Sequence, residues 1–162
     1  MTDNVDEFAI KYLGAYKEKE FKNVTDGEIG IDSEKEDLLD EDKPIIDFLK
    51  TALAGEVFDV KLSTKLGEHP VCLLTEGEIS IEMEKVLKAM PTNDEMTKGM
   101  KAKKILEINK SHKVYEKIKD LYSSNQEKLK HFAEVLVGEA RLLAGLEIED
   151  VSAFINKMNN LF

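Results

Sequence analysis

The chain has 162 residues, enough for one domain or for one domain with an appendage. Hydrophobic residues make up 42% and charged residues 35%, a globular profile tilted towards charge-rich helices, with no run of 18 apolar residues to span a membrane. A net charge of −10 repels phosphate backbones, and the best basic stretch, KGMKAKK at 98–104, lacks interleaved aromatics, so no nucleic-acid partner is expected.

The first ten residues, MTDNVDEFAI, lack the basic start and apolar run of a secretory signal. Residues 4–13 place Val5, Phe8, Ala9, Tyr12 and Leu13 on one helical face, and KEFKNV at 19–24 alternates as a short strand does. The acidic stretch TDGEIGIDSEKEDLLDEDK reads as a linker with a solvated charge run, since it lacks the spacing of a calcium-binding loop. Pro44 suits the first turn of a helix that presents Ile45, Ile46, Leu49 and Leu53 and stops at Gly55. VFDVKLSTKL then alternates, with Phe58, Val60 and Leu62 on one side. PVCLLT is continuously apolar and is expected as a strand buried on both faces. Its Cys72 is the only cysteine, which excludes an intrachain disulfide; it reads as a small core residue in a reduced, cytoplasmic setting.

The segment ISIEMEKVLKAM carries Ile79, Met83, Val86, Leu87 and Met90 on one helical face, and Glu82, Glu84, Lys85 and Lys88 on the other. That stripe must meet a core, a second copy or outside partners. PTNDEMTKGMKA reads as a loop, KKILEIN as a third strand, and SHKVYEKIKDLYSS as a helix with Val114, Ile118 and Leu121 inside and His112 at its start. Ser124 and Glu127 have the spacing of a capping box for the next helix. Leu129, Phe132, Ala133, Leu136, Ala140 and Leu143 form its stripe, widened by Val135, Leu142 and Leu146. Asp150 caps a last helix with Val151, Phe154, Ile155, Met158 and Leu161 on one face. Such a pair either packs on its own sheet or closes a four-helix bundle with a two-fold partner, and periodicity alone does not choose.

No catalytic constellation stands out. His69, His112 and His131 fall on different elements, GEIG lacks the lysine and helix of a phosphate loop, and no serine sits in a nucleophile elbow. No metal ligand set, cofactor motif or catalytic residue is expected in this chain.

Four stretches in fixed order resemble the C-terminal end of the ninety-kilodalton heat-shock protein family, in its bacterial, high-temperature protein G form. VDEFAIKYL with KEFKNV is similar to the last helix and strand of that family's middle domain. VKLSTKLGEHPVCLL resembles its V-R-L-S-x-R-L strand pair, AKKILEINKSHKVYEKI its K-x-L-E-I-N-P-x-H-P segment, and LLAGLEIEDVSAFINKMNNLF its final helix pair. Departures are Lys65 for the family's arginine, GEH for a usual TDS, and Lys110 and Lys113 for prolines flanking His112.

The resemblance implies an α+β fold, with a small three-stranded sheet, flanking helices and a C-terminal helix pair that forms a four-helix bundle in a homodimer. It implies residues 1–32 as the tail of a middle domain, 33–43 as an acidic linker, and 44–162 as a dimerisation and client-contact domain. Unfolded or partly folded proteins are the implied clients of Ile79, Met83, Val86, Leu87 and Met90, since methionine adapts to varied surfaces. Leu136, Leu142, Leu143, Leu146, Val151, Phe154, Ile155, Met158 and Leu161 are the implied dimer interface. The parent is expected to be an ATP-dependent chaperone whose ATP and magnesium site lies in an N-terminal domain outside this stretch, so the chain itself is not expected to be an enzyme. Docking of tetratricopeptide-repeat co-chaperones is not expected, because the Glu-Glu-Val-Asp tail of cytosolic eukaryotic members of that family is not found in this sequence. The competing class is a small stand-alone enzyme or ligand-binding domain, in which residues 79–90 close over a cavity lined by His69, Glu76 or Glu78.

Overall fold

The computed structural model describes residues 13–20, 39–77, 79–89 and 101–161. The expected helix over residues 4–13 lies outside these except for Leu13, as do most of the strand at 19–24, residues 25–38 of the acidic stretch, Glu78, Met90 and the segment 91–100. The chain divides into two compact units, one made of residues 1–33 with 74–103 and the other of 34–73 with 104–162. Among the described residues the protein is α+β, with five helices, a two-stranded hairpin and a three-stranded mixed sheet.

The hairpin pairs β1 (Ala15–Tyr16) with β2 (Lys19–Glu20) around a two-residue turn. Lys17 and Glu18 both hold positive φ there, the geometry that matches the twist of a tight hairpin.

The sheet orders β3 (Asp59–Ser63), β5 (Lys103–Asn109) and β4 (Val71–Glu76) with β5 at the centre. β3 runs parallel to β5, Val60 opposite Leu106 and Leu62 opposite Ile108. The central position explains why Ile105 and Leu106, on opposite faces of β5, are both buried. The both-faces expectation for PVCLLT therefore belongs to KKILEIN instead. β4 is an edge strand in which Val71, Leu73 and Thr75 are buried while Cys72, Leu74 and Glu76 are only half-buried. Cys72 is thus not the fully enclosed core residue expected, and burial pushes its thiol up from its ordinary range. Phe58, expected on the inner side with Val60, is 60% exposed and precedes β3.

In the second unit, α1 (Lys43–Ala52) packs on β3, on α3 (Lys113–Ser124) and on α4 (Gln126–Leu143). Pro44 stands in its first turn, and Ile45, Ile46, Leu49 and Leu53 are buried, as their spacing predicts. Tyr115, Ile118 and Leu121 of α3 and Leu129, Ala133, Leu136, Val137 and Ala140 of α4 complete the core. Val114 is half-buried, and His112 caps α3 by accepting the Val114 N–H at Nδ1. The cap of α4 is Asn125 and not Ser124: the Asn125 carboxamide oxygen accepts the Lys128 N–H at 2.9 Å, while the Ser124 hydroxyl donates back to the Asp120 carbonyl inside α3.

Asn109 at the end of β5 fastens the turn between β3 and β4. Its Nδ2 donates to the Gly67 and His69 carbonyls at 2.9 and 3.0 Å, and its Oδ1 accepts the Ser111 N–H at 3.0 Å. Each hydrogen-bonding site of a fully buried carboxamide needs such a partner.

α4 ends in a Schellman turn. Gly145, at φ 66°, sends its N–H to the Leu142 carbonyl, and the Leu146 N–H reaches the Arg141 carbonyl at 2.8 Å. The chain reverses into α5 (Val151–Asn159), whose cap Asp150 accepts the Ala153 N–H at 2.8 Å as the sequence predicts.

Candidate functional site

Two apolar helical surfaces and one buried polar cluster stand out. The first surface is α2 (Ile81–Ala89), in the first unit. Its buried side is not its apolar side. Ser80, Ile81 and Glu84 are buried, while Ile79, Met83, Val86 and Leu87 are only half-buried. At 100° per residue the centre of the apolar stripe stands roughly 120° around the helix from the centre of the buried edge. Glu84, which the helical spacing places on the face opposite the stripe, is 1% exposed and its Oε2 accepts the Ala102 N–H at 2.9 Å. Ser80 starts the helix with its Oγ accepting the Met83 N–H at 3.1 Å. Lys85 pairs with Glu82 at 2.8 Å along the outer side.

The second surface belongs to α4 and α5, which pack antiparallel in the second unit. Phe154 is the internal contact: its ring lies over Gly138 so closely that a Cβ there would stand 2.7 Å from Cδ2. Lys157 pairs with Glu134 at 2.7 Å across the same joint, and Arg141 pairs with Glu56 at 2.9 Å. A Gly138→Ala chain is expected to lose about 1 kcal/mol in a urea titration. The helix-propensity gain of about 1 kcal/mol is smaller than the overpacking loss of about 1–3 kcal/mol when the ring is displaced.

No residue of α5 is buried. Val151 is 56% exposed, Ile155 48% and Met158 37%, and Leu142 and Leu143 at the end of α4 are each 54% exposed. Phe154, Leu146 and Leu161 are half-buried. Leu136 is 2% exposed, so it is a core residue of its own chain with no area left to offer a partner. A groove of about 480 Å³ runs between α3, α4 and α5, lined by Leu121, Phe132, Val135, Met158 and Leu161 with Lys117 and Lys128 at its rim. The groove has no facing acid and base. Among the described residues no group of His, Cys, Asp or Glu side chains has the arrangement to hold a metal ion, and no helix is long and apolar enough to cross a membrane. His69 is exposed.

The buried cluster centres on Asp42, one residue before α1 and 1% exposed. Its carboxylate accepts the Lys110 ammonium at 2.6 Å and the Tyr115 hydroxyl. Burial alone would push this carboxyl up, but the Lys110 and Tyr115 hydrogen bonds outweigh it and hold it below the usual carboxylate range. Burial, the hydrogen bond to Asp42 and its charge push the Tyr115 phenol well above its ordinary range. Sequence reasoning missed this cluster because its members are 68 and 73 residues apart and none sits in a motif.

The apolar face of α4 and α5 is exposed and the groove beside it has no facing acid–base pair. The sequence model of the family described as Hsp90 protein matches residues 1–162. The chain belongs to the Hsp90 family. It is 47% identical over 163 residues to the chaperone protein HtpG of Clostridium acetobutylicum, covering 99% of this chain and 26% of that relative. It is 46% identical to chaperone protein HtpG of Clostridium botulinum, with 97% of this chain and 25% of the relative covered, and 46% identical to that of Halalkalibacterium halodurans, with 96% and 25% covered. The chain thus spans about a quarter of the length of the curated relatives it matches. The Hsp90-family resemblance read from the four ordered stretches holds over the whole chain.

Proposed function

We propose that this chain is the C-terminal dimerisation and client-contact module of a cytoplasmic, ATP-dependent Hsp90-family chaperone, with residues 44–162 as the working domain, residues 33–43 as its linker and residues 1–32 as the tail of a middle domain. The carrying observation is the apolar face of α4 and α5, where Leu142, Leu143, Val151, Ile155 and Met158 stand exposed on adjoining helices. Five large apolar side chains with about half their area uncovered favour a cover, and a two-fold copy supplies the same pair of helices. Leu146, Phe154 and Leu161 border that face; Leu136 lies beneath it. Nucleotide binding and hydrolysis are assigned to parts of the parent outside this stretch, with no catalytic, cofactor or metal role for these residues.

Client contact is assigned to α2. Ile79, Met83, Val86 and Leu87 are not fully buried and keep part of their surface accessible, because the helix is seated by a different edge. Met90, which extends the same stripe in sequence, lies outside the described residues. Client proteins and a second copy of the chain are the proposed partners; nucleic acid, membrane and tetratricopeptide-repeat docking are not part of the proposal. The alternative of a stand-alone enzyme or ligand-binding domain has weaker support, because the groove found in the second unit is apolar and faces no acid–base pair.

Sedimentation equilibrium at tens of micromolar tests the dimer: a species of twice the 18.3 kDa chain mass is expected. Client contact is tested in the full-length parent with Met83→Ser and Leu87→Ser together. Suppression of aggregation of a thermally unfolding reporter enzyme should fall severalfold, while the dimer mass stays unchanged. Unaltered suppression would remove client contact from α2 and leave a purely structural dimeriser.

A further inference from the structure

The seating of α2 contradicts its own amphipathicity. A helix ordinarily turns its apolar stripe to the buried side. Here the buried edge is Ser80, Ile81 and Glu84, two of them polar, and the stripe of Ile79, Met83, Val86 and Leu87 is rotated roughly 120° away and only partly covered. On that buried edge stands Glu84. Its Oε2 receives the Ala102 N–H at 2.9 Å, an acceptor placed for a backbone donor at the entrance to β5 and 18 residues away in sequence. Ala102 is itself 6% exposed, so that N–H would otherwise be a buried donor without water. Glu84 also donates its own backbone N–H to the Ser80 carbonyl at 3.0 Å, closing the first turn behind the cap.

We infer that Glu84 is a positioning residue that sets the rotation of α2 about its own axis, holding the apolar stripe away from the buried side so that it stays available for contact. A buried polar group is suited to this task. An apolar residue at the same position fits several rotations about equally well, whereas a carboxylate that must keep a hydrogen bond accepts one. The inference rests on the client-contact reading of α2 only for its functional consequence; the rotation itself is a property of the helix and of Ala102.

The rate at which a thiol on the stripe reacts reports the rotation directly. A Leu87→Cys chain in a Cys72→Ala background, treated with iodoacetamide, gives the reference rate. Adding Glu84→Leu removes the acceptor and makes the buried edge apolar, and the helix is then free to bury its stripe. Labelling is expected to slow by about fivefold or more, because thiol reactivity follows exposure. Glu84→Gln retains a carboxamide oxygen for the Ala102 N–H and should label at close to the reference rate. An unchanged or faster rate with Glu84→Leu would overturn the inference, as would a Glu84→Gln chain that behaves like Glu84→Leu. Client aggregation assays with the same Glu84 variants in the full-length parent separate the two ideas. Slowed labelling with undiminished client suppression keeps the rotational role of Glu84 and discards client contact at α2. Unchanged labelling, with suppression still lost in the Met83→Ser, Leu87→Ser chain, does the reverse.

Discussion

A chain carrying Leu143→Asp and Ile155→Asp is expected to sediment as a monomer at concentrations where the unsubstituted chain is expected to sediment as the proposed dimer. Both side chains are about half exposed in the isolated protomer, Leu143 at 54% and Ile155 at 48%. Full burial of such a side chain is worth about 1.5–3 kcal/mol, so covering the remaining half contributes about 1 kcal/mol. A two-fold interface counts each substitution twice. Two substitutions therefore remove about 4 kcal/mol of apolar contact, which weakens association by about three orders of magnitude. The introduced carboxylates add their own desolvation and mutual repulsion to that loss. The secondary structure of the protomer should survive, since neither residue belongs to its core. Phe154→Asp is a poorer choice than periodicity alone implies. That ring is the contact between α5 and Gly138 of the same chain, so losing it would loosen the helix pair and confuse folding with assembly. A Leu143→Asp, Ile155→Asp chain that remains dimeric would place the self-association surface elsewhere.

The contrast between Phe154 and Ile155 shows what the sequence makes legible. Periodicity identified α5 and its apolar stripe correctly, down to the Asp150 cap. It could not divide that stripe between the chain's own α4 and solvent, because that depends on the close approach permitted by Gly138, a residue with no hydrophobic signal. The same gap appears in the sheet. The sequences of β4 and β5 are both rich in apolar residues, and only the order β3–β5–β4 makes β5 the strand buried on both faces. Phe58 continues the alternation of β3 in sequence yet precedes the strand and stays exposed. Ser124 and Asn125 are competing cap residues one position apart. The choice falls to Asn125 because α3 extends through Ser124 and occupies its hydroxyl. In α2 the stripe was legible and its orientation was not, since a glutamate buried for the sake of an N–H 18 residues away leaves no local pattern. The Hsp90-family resemblance, by contrast, needed only the order of four stretches, and it covers residues 1–162.

Removing the Asp42 carboxylate is expected to produce the largest single loss of stability. Asp42→Ala leaves the Tyr115 hydroxyl, on a residue 2% exposed, without its acceptor, and leaves Lys110 without its counter-charge. A buried unsatisfied hydroxyl costs about 1–3 kcal/mol. The Lys110 side chain is 30% exposed and can turn towards water, so its share is well below that of a fully buried broken pair. The sum is about 2–4 kcal/mol, read as a fall in the urea midpoint at unchanged slope. Asp42→Asn keeps an acceptor for Tyr115 and should lose about half as much. The pH profile gives a second, independent reading. The Asp42 carboxyl is held below its unfolded value, so its contribution is present above about pH 4 and is lost as pH falls through the folded value. The Tyr115 phenol is held above its unfolded value, so its contribution is complete below about pH 10 and is lost as pH rises beyond that towards the folded value. Asp42→Asn should therefore flatten the acid limb of the stability profile, and Tyr115→Phe the alkaline limb. A variant that loses stability with both limbs unchanged would mean that Asp42 acts through packing alone. The position of the cluster gives the test its wider meaning, because Asp42 stands where the chain enters α1 and Lys110 and Tyr115 stand where it leaves β5. One carboxylate thereby fixes the first helix of the unit against the corner that leads into α3 and α4, the scaffold on which α5 presents its exposed apolar face.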